Sequence, residues 1–351
     1  MDRGDGAGVG GAGVNRSWRN FGWLSDEIPR VPLDEATRVR EDLPRTLQWV
    51  AGDDVLQRPV FDPAMKHYSN AYRATDPSFA DPARGEDWRK ARRRALDLVL
   101  AAIAASEWVE SLVLRGSVLM SGWFGEAARE PGDLDFVVVP PTWRIDDGRT
   151  GRMLAGIAQA ARTTADARSE GVAISADGAV VEDIWTYERV PGRRMILPWS
   201  APGLPGGHVQ LDFVFNERLP VEPEPAEPAP GAVVWAATPE LSLAWKLMWI
   251  VNDAYAQGKD LYDAVLLGER HPLRRDVLHE VFRLSGEWPD RDRQEIVLED
   301  VVTAVGYVEW NHFVTEYPRF ADDEREFAER LVRAVTPTFE GPSQGGGAVL
   351  P

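Results

Sequence analysis

Two short stretches organise this chain: Ser111-Leu112-Val113-Leu114-Arg115-Gly116-Ser117 and, after fifteen intervening residues, Asp133-Leu134-Asp135-Phe136-Val137-Val138-Val139. Residues 111–114 form a β-type run that Gly116-Ser117 ends, and residues 118–124 predict a short helix. Residues 133–139, rich in Val and Phe, predict the next strand, stopped by Pro140-Pro141. A strand that passes through Gly-Ser into a helix turns free backbone N–H groups outward at the helix N-terminus, where phosphate binds. The glycine permits close approach, and the serine hydroxyl adds a donor.

Asp133 and Asp135 are two residues apart on a predicted strand, so their side chains share a face. Two carboxylates that close repel each other unless a cation sits between them. Hard divalent ions such as Mg²⁺ or Mn²⁺ take oxygen ligands and supply that cation. The plainer alternative puts Asp133 in a Pro131-Gly132-Asp133 turn and Asp135 on the surface. Asp212 shifts the balance, because it interrupts the apolar strand pattern of residues 209–216, and a carboxylate there requires a partner. A metal held by Asp133 and Asp135 would provide one, with Asp212 as a third ligand or as proton acceptor. Asp183 is a weaker candidate for that third carboxylate.

Farther out, residues 172–176 and 179–189 suggest a hairpin around Asp177-Gly178. Five prolines in residues 220–230 suggest an extended, semi-rigid connector and the best domain boundary in the chain. Beyond it Thr238 can cap a helix with Pro239 in its first turn, and Leu241, Ala244, Trp245, Met248 and Trp249 form an apolar stripe. Lys246 on that helix is either a snorkelling lysine or a counter-charge to a triphosphate. Asp260 and Asp263 are three apart and share a helical face, although Asp260 could equally be a cap. Further helices are predicted near 261–267, 275–284, 295–313 and 324–335.

Strand, Gly-Ser, helix, Asp-x-Asp and a later Asp together resemble the nucleotidyltransferase superfamily. Within it the chain is similar to the AbiEii/AbiGii-type toxins of abortive-infection and type IV toxin–antitoxin systems. The likeness rests on Leu114-Arg115-Gly116-Ser117, Asp133-Leu134-Asp135-Phe136, the run Pro239 to Leu247 with Lys246, and Gly258-Lys259-Asp260-Leu261-Tyr262-Asp263. The resemblance implies an α/β (α+β) fold, with a small mixed sheet, flanking helices and a helical C-terminal domain. It also implies a metal set of Asp133, Asp135 and Asp212, nucleotide contacts from Gly116, Ser117 and Lys246, and catalytic roles for Asp133, Asp135, Asp212, Lys246, Asp260 and Asp263. The activity implied is Mg²⁺-dependent transfer of a nucleotide from an NTP to an acceptor, the tRNA 3′ end, with growth arrest and a cognate antitoxin. The residues alone leave two alternatives open: a small-molecule or protein nucleotidylyltransferase, and a non-catalytic nucleotide-binding module. The interval from Ser117 to Asp133 is longer than the family's usual one, which suggests an insertion near the site at residues 123–132.

The expected organisation is a glycine-rich tail (1–16), an N-terminal helical extension (17–109) with helices at 33–50 and 86–105, the nucleotidyltransferase core (110–219), the connector (220–237), a helical C-terminal domain (238–337) and a second tail (338–351). With 351 residues, 44% of them apolar, the chain can bury a sizeable core. The absence of cysteine excludes disulfides, thiolate metal sites and thiol nucleophiles. No leader or spanning segment is evident, so a cytoplasmic protein without membrane contact is expected. The net charge of −17 argues against a general polyanion-binding surface. Any RNA contact is expected at Arg89 to Arg94, Arg193-Arg194 and Arg270 to Arg275. Trp123 and Trp185 are candidates for stacking on a base, with core packing favoured for both.

Overall fold

A computed structural model of the protein describes residues 34–168, 171–186 and 190–340. The glycine-rich tail, and the second tail from residue 341 on, lie outside the described residues. In chain order the elements are α1 (Glu35–Arg40), β1 (Val55–Leu56), β2 (Pro59–Phe61), β3 (Tyr72–Ala74), β4 (Ser78–Phe79), α2 (Pro82–Ala104), β5 (Leu112–Arg115), α3 (Ser117–Phe124), β6 (Asp133–Val138) and α4 (Gly148–Arg168). They continue with β7 (Ala173–Ile174), β8 (Val180–Thr186), β9 (Val190–Ser200), β10 (Gly207–Val214), β11 (Glu224–Ala229), β12 (Ala232–Ala236), α5 (Pro239–Asn252), α6 (Gly258–Arg270), α7 (Arg275–Ser285), α8 (Leu298–Ala304), α9 (Trp310–Glu316) and α10 (Glu324–Glu340).

A mixed sheet in the order β11-β12-β5-β6-β10-β9-β7, with β8 also on β9, forms the centre, as the α/β expectation requires. One face of it is core: Leu114, Leu134, Phe136, Leu211 and Phe213 are buried, and the Phe136 and Phe213 rings stack across the β6–β10 pair. On the other face the register aligns a row of charges across neighbouring strands. Arg115 pairs with Asp135, Asp135 with Asp212, and Asp212 with Arg194. Because side chains alternate along a strand, burying Leu114, Phe136 and Phe213 turns these charged neighbours to the opposite side.

Helix α2 begins where Asp81 accepts the Ala83 N–H and Pro82 occupies the first turn, and it buries Leu96, Val99, Leu100 and Ile103. Helix α5 starts with Thr238 accepting the Leu241 N–H at 3.1 Å and is buried from Leu241 to Ile250. It packs against α6, α7 and α8, and with the start of α6 it lines the space over the charged row.

Several expected elements are corrected. The helix predicted over 33–50 contracts to α1, because Asp42 takes a positive φ of 47° and Pro44 follows. The N-terminal extension is therefore not mainly helical: the short pairs β1–β4 and β2–β3 precede α2. The strands β7 and β8 do not pair with each other, since both pair with β9, a strand that Pro191, Gly192 and Pro198 disguise in the sequence. The proline-rich residues form the hairpin β11–β12, which extends the sheet through β12 and β5. Prolines are tolerated there because β11 is an edge strand. The predicted 295–313 helix splits into α8 and α9, and α10 carries Pro337 and continues to Glu340 into the predicted tail, with Thr338 buried.

Candidate active site

The charged row forms the floor of a cavity of about 380 Å³, whose walls come from the β5–α3 turn, α5, the start of α6 and the N-terminal residues Asp62, Pro63, Ala64 and Arg73. At the turn, Gly116 has φ +86° and ψ −150°, which a residue with a Cβ rarely adopts. A Cβ there would overlap the Asp135 carboxylate oxygen, so the glycine is required both by the backbone and by the close approach. Ser117 is buried, and its hydroxyl donates to Asp133 Oδ1 at 3.0 Å.

Asp133 and Asp135 both line the cavity, as the strand periodicity predicts. Burial, then the neighbouring carboxylates of Asp133 and Asp212, push the Asp135 carboxyl up to about 7, and Arg115 and Lys259 only partly offset this. Asp212 lies directly beside it, but here the structure answers differently from the sequence. The Asp212 carboxylate accepts from Arg194 Nε and Nη2 at 2.8 Å each, and Arg194 Nη1 reaches Asp62 at 2.5 Å. Burial opposes the Arg194 charge, but the two carboxylates outweigh it and raise its pKa well above the ordinary value. A protein cation thus supplies part of the compensation that the sequence attributes to a metal, and burial, with Asp133 and Asp62, still holds the Asp212 carboxyl above its ordinary value.

The predicted Lys246, Asp260 and Asp263 come together as a buried cluster. Lys246 Nζ donates to Asp260 at 2.6 Å and lies 3.0 Å from Asp263, while Arg129 grips Asp263 with bonds of 2.9 and 2.7 Å. Burial opposes ionisation of Asp263, yet Arg129 and Lys246 outweigh it and hold its pKa at about 2. Lys246 is raised in turn: burial disfavours its charge, and Asp260 and Asp263 overcome that penalty. Lys246 is only 7% exposed, which removes the snorkelling alternative. Asp260 stands in the first turn of α6 and bonds to Lys246, while the α6 cap residue, Gln257, makes no side-chain capping bond.

Asp183 lies away from the cavity and pairs with Arg193 at 2.8 Å. Trp123 and Trp185 do not line the cavity either; Trp249 does. The Arg115 guanidinium lies 5.2 and 5.3 Å from the Trp245 and Trp249 ring centroids and donates to Glu217 at 2.7 Å. The expected basic patches are largely ion-paired. Arg89 meets Glu86, buried Arg92 meets Asp76, Arg274 meets Glu240 and Arg275 meets Glu295.

Sequence reasoning missed Asp62, Arg73, Arg129 and the role of Arg194. Arg129 had a signal, since the 123–132 loop stands out as an insertion near the site. Arg194 sits in a sequence cluster that suggests a surface patch, and nothing local marks Asp62 or Arg73, the latter held by Glu316 at 2.7 and 2.6 Å.

Among the described residues no group of three or more histidine, aspartate or glutamate side chains is arranged to hold a metal ion. The pair Asp133 and Asp135 nevertheless fits a hard divalent ion that is shared with a ligand's phosphates. The two carboxylates share a face, and no described side chain donates to Asp135, whose carboxyl is held above the ordinary range by burial and by Asp133 and Asp212.

A family model for the nucleotidyl transferase AbiEii toxin of type IV toxin–antitoxin systems matches residues 98–340. The chain belongs to this family. No curated protein matches it. Within this AbiEii-family chain the match covers the whole charged row, the Lys246 cluster and Arg129, and it leaves Asp62 and Arg73 outside. Among the described residues no helix is long and apolar enough to cross a membrane.

Proposed function

We propose that this AbiEii-family protein is a Mg²⁺- or Mn²⁺-dependent nucleotidyltransferase that moves a nucleotide from an NTP to the 3′ end of tRNA, arresting growth unless a cognate antitoxin opposes it. The observation that carries this reading is the Gly116-Ser117 turn pressed against Asp133 and Asp135 at the floor of a cavity. Backbone N–H groups at the start of α3 and the Ser117 side chain hold the phosphates. Asp133 and Asp135 would hold the divalent ion, which when bound supplies charge neutralisation and Lewis acidity at the phosphates. Asp212 has both oxygens committed to Arg194, so its part is to fix that arginine beside the reacting groups. Lys246, Asp260, Asp263 and Arg129 position α5, α6 and the 123–132 loop around the cavity. In the reaction the acceptor hydroxyl oxygen bonds to the α-phosphorus, the bond to the bridging oxygen breaks, pyrophosphate leaves with that electron pair, and the hydroxyl proton passes to solvent.

The test is to incubate purified protein with each α-labelled NTP, Mg²⁺ and total RNA. Label should enter the tRNA fraction, and Asp135→Ala should abolish it. Label appearing in protein or a small metabolite would move the reading to a different acceptor, and equal transfer by Asp135→Ala would overturn it. Soluble production in the cytoplasm and rescue by a co-expressed antitoxin would support the localisation and the partner.

A further inference from the structure

Six cationic side chains line the cavity: Arg73, Arg115, Arg129, Arg194, Lys246 and Lys259. Five of them are committed. Arg73 is bound to Glu316, Arg115 to Glu217, Arg129 to Asp263, Arg194 to Asp62 and Asp212, and Lys246 to Asp260 and Asp263. Lys259 alone among them has no carboxylate within ion-pairing distance among the described residues. It lines this cavity and also a smaller one of about 130 Å³, which shares Arg73, Arg129, Asp133 and Gln210 with it. It therefore stands where the two spaces meet, in linings that also include Asp133.

Lysine is a flexible residue, but the backbone that carries Lys259 is fixed. The preceding Gly258 sits so close to α9 that a Cβ would come within 2.7 Å of Phe313 Cβ and 3.2 Å of Trp310 Cα. The Glu309 N–H donates to the Ala256 carbonyl at 2.7 Å, tying the same turn to the start of α9. Lys259 also belongs to the first turn of α6, where the helix dipole favours an anion.

We propose that Lys259, and not Lys246, is the cation that contacts the polyphosphate of the nucleotide, an assignment that rests on the nucleotidyltransferase reading above. Lys246 spends two of its three N–H groups on two buried carboxylates, and drawing it away from them toward a phosphate is costly. Lys259 exchanges only water for phosphate. Lys246 is then a positioning residue that holds α6 against α5, and so holds Lys259 in place.

Calorimetric titration of the full chain with ATP, GTP, CTP and UTP, each with Mg²⁺ and no acceptor, tests this. Lys259→Met should weaken the best-bound triphosphate by about tenfold or more, the scale of one charge-assisted hydrogen bond. Its melting temperature should stay close to that of the wild type, and Lys259→Arg should restore most of the affinity. Wild-type affinity in a folded Lys259→Met protein would overturn the assignment while leaving the nucleotidyltransferase reading intact. Failure of the wild type to bind any of the four triphosphates would overturn both. Weakened binding that Lys259→Arg does not restore, together with a lowered melting temperature, would also overturn it, because it would mark Lys259 as structural.

Discussion

Asp135 and Asp212 lie directly opposite each other on the parallel strands β6 and β10, and only Asp212 accepts hydrogen bonds from an arginine. The register places an arginine on the outer side of each, Arg115 beside Asp135 and Arg194 beside Asp212. Arg194 turns inward and holds Asp212 with two bonds, whereas Arg115 turns to Glu217 and lies near the rings of Trp245 and Trp249. The asymmetry leaves Asp212 with a hydrogen-bonded arginine and Asp135 short of one, while burial raises both carboxyls above the ordinary value. That shortage is what a site keeps for a ligand's cation.

The shortage should be visible as a pH dependence of stability. The Asp135 carboxyl is raised to about 7 in the fold by burial, Asp133 and Asp212, against an ordinary value of 3.8, with Arg115 and Lys259 acting the other way. Between those values the folded state binds more protons than the unfolded one, so stability falls as pH rises from about 4 through about 7. Without divalent ions, Asp135→Asn should melt higher than the wild type at pH 8, by about 1–2 °C for each kcal/mol relieved, and much less so at pH 5. Mg²⁺ should stabilise the wild type at pH 8 and not the variant. Equal melting of the two proteins at both pH values would show that Asp135 carries no such penalty.

Arg194 should be among the most sensitive residues in the protein. Arg194→Met leaves Asp62 and Asp212 buried with no counter-charge, and removing one partner of a buried ion pair costs about 3–5 kcal/mol. Urea unfolding should show that loss, and adding Asp212→Asn to Arg194→Met should recover part of it. Additive losses in the double variant would mean that Arg194 and Asp212 are not coupled.

The half of the site that was legible in the sequence is local. Gly116-Ser117, Asp133 and Asp135 announce themselves because a strand's two-residue period and a turn's need for glycine act within a few residues. Helical spacing puts Asp260 and Asp263 on one face, and the family resemblance adds Lys246, one helix connection away. What escaped is long-range. Arg73 meets Glu316 across 243 residues and Arg129 meets Asp263 across 134, and no periodicity encodes such pairings. The misreadings share a cause: prolines signal connectors and breaks, yet at the sheet edge in β11 the missing N–H groups are tolerated. In β9 they hid the strand that carries Arg194.

Gly116 gives the sharpest separation of chemistry from folding. Gly116→Ala forces a Cβ into the Asp135 carboxylate and places an L-residue at φ +86°, a strain of about 1–3 kcal/mol. The protein should still fold, with a modest drop in melting temperature. Nucleotide transfer should fall about a hundredfold or more, because displacement of about 1 Å at a reacting centre has that effect. Retention of wild-type transfer by Gly116→Ala would show that the close approach of turn and carboxylate is not part of the chemistry.

One carboxylate, Glu182, gathers four donors from the N-terminal segment that precedes the family match. Glu182 on β8 accepts from the Arg45 and Thr46 N–H groups at 3.0 Å each, from the Thr46 hydroxyl at 2.7 Å and from the Tyr68 hydroxyl. Burial opposes its ionisation, but these four donors outweigh it and lower its pKa. Glu182→Ala would strand two backbone donors and two hydroxyls, at about 1–3 kcal/mol for each group left buried and unsatisfied. Because Asp62 and Arg73 ride on the same segment, the loss should spread to the cavity wall. Limited proteolysis of Glu182→Ala should therefore cut first between residues 41 and 70, while the part matched by the family model resists. The Michaelis constant for the nucleotide should rise as the wall loosens. Cleavage at wild-type rates with an unchanged Michaelis constant would mean that the segment is anchored elsewhere and that Glu182 does not govern the cavity.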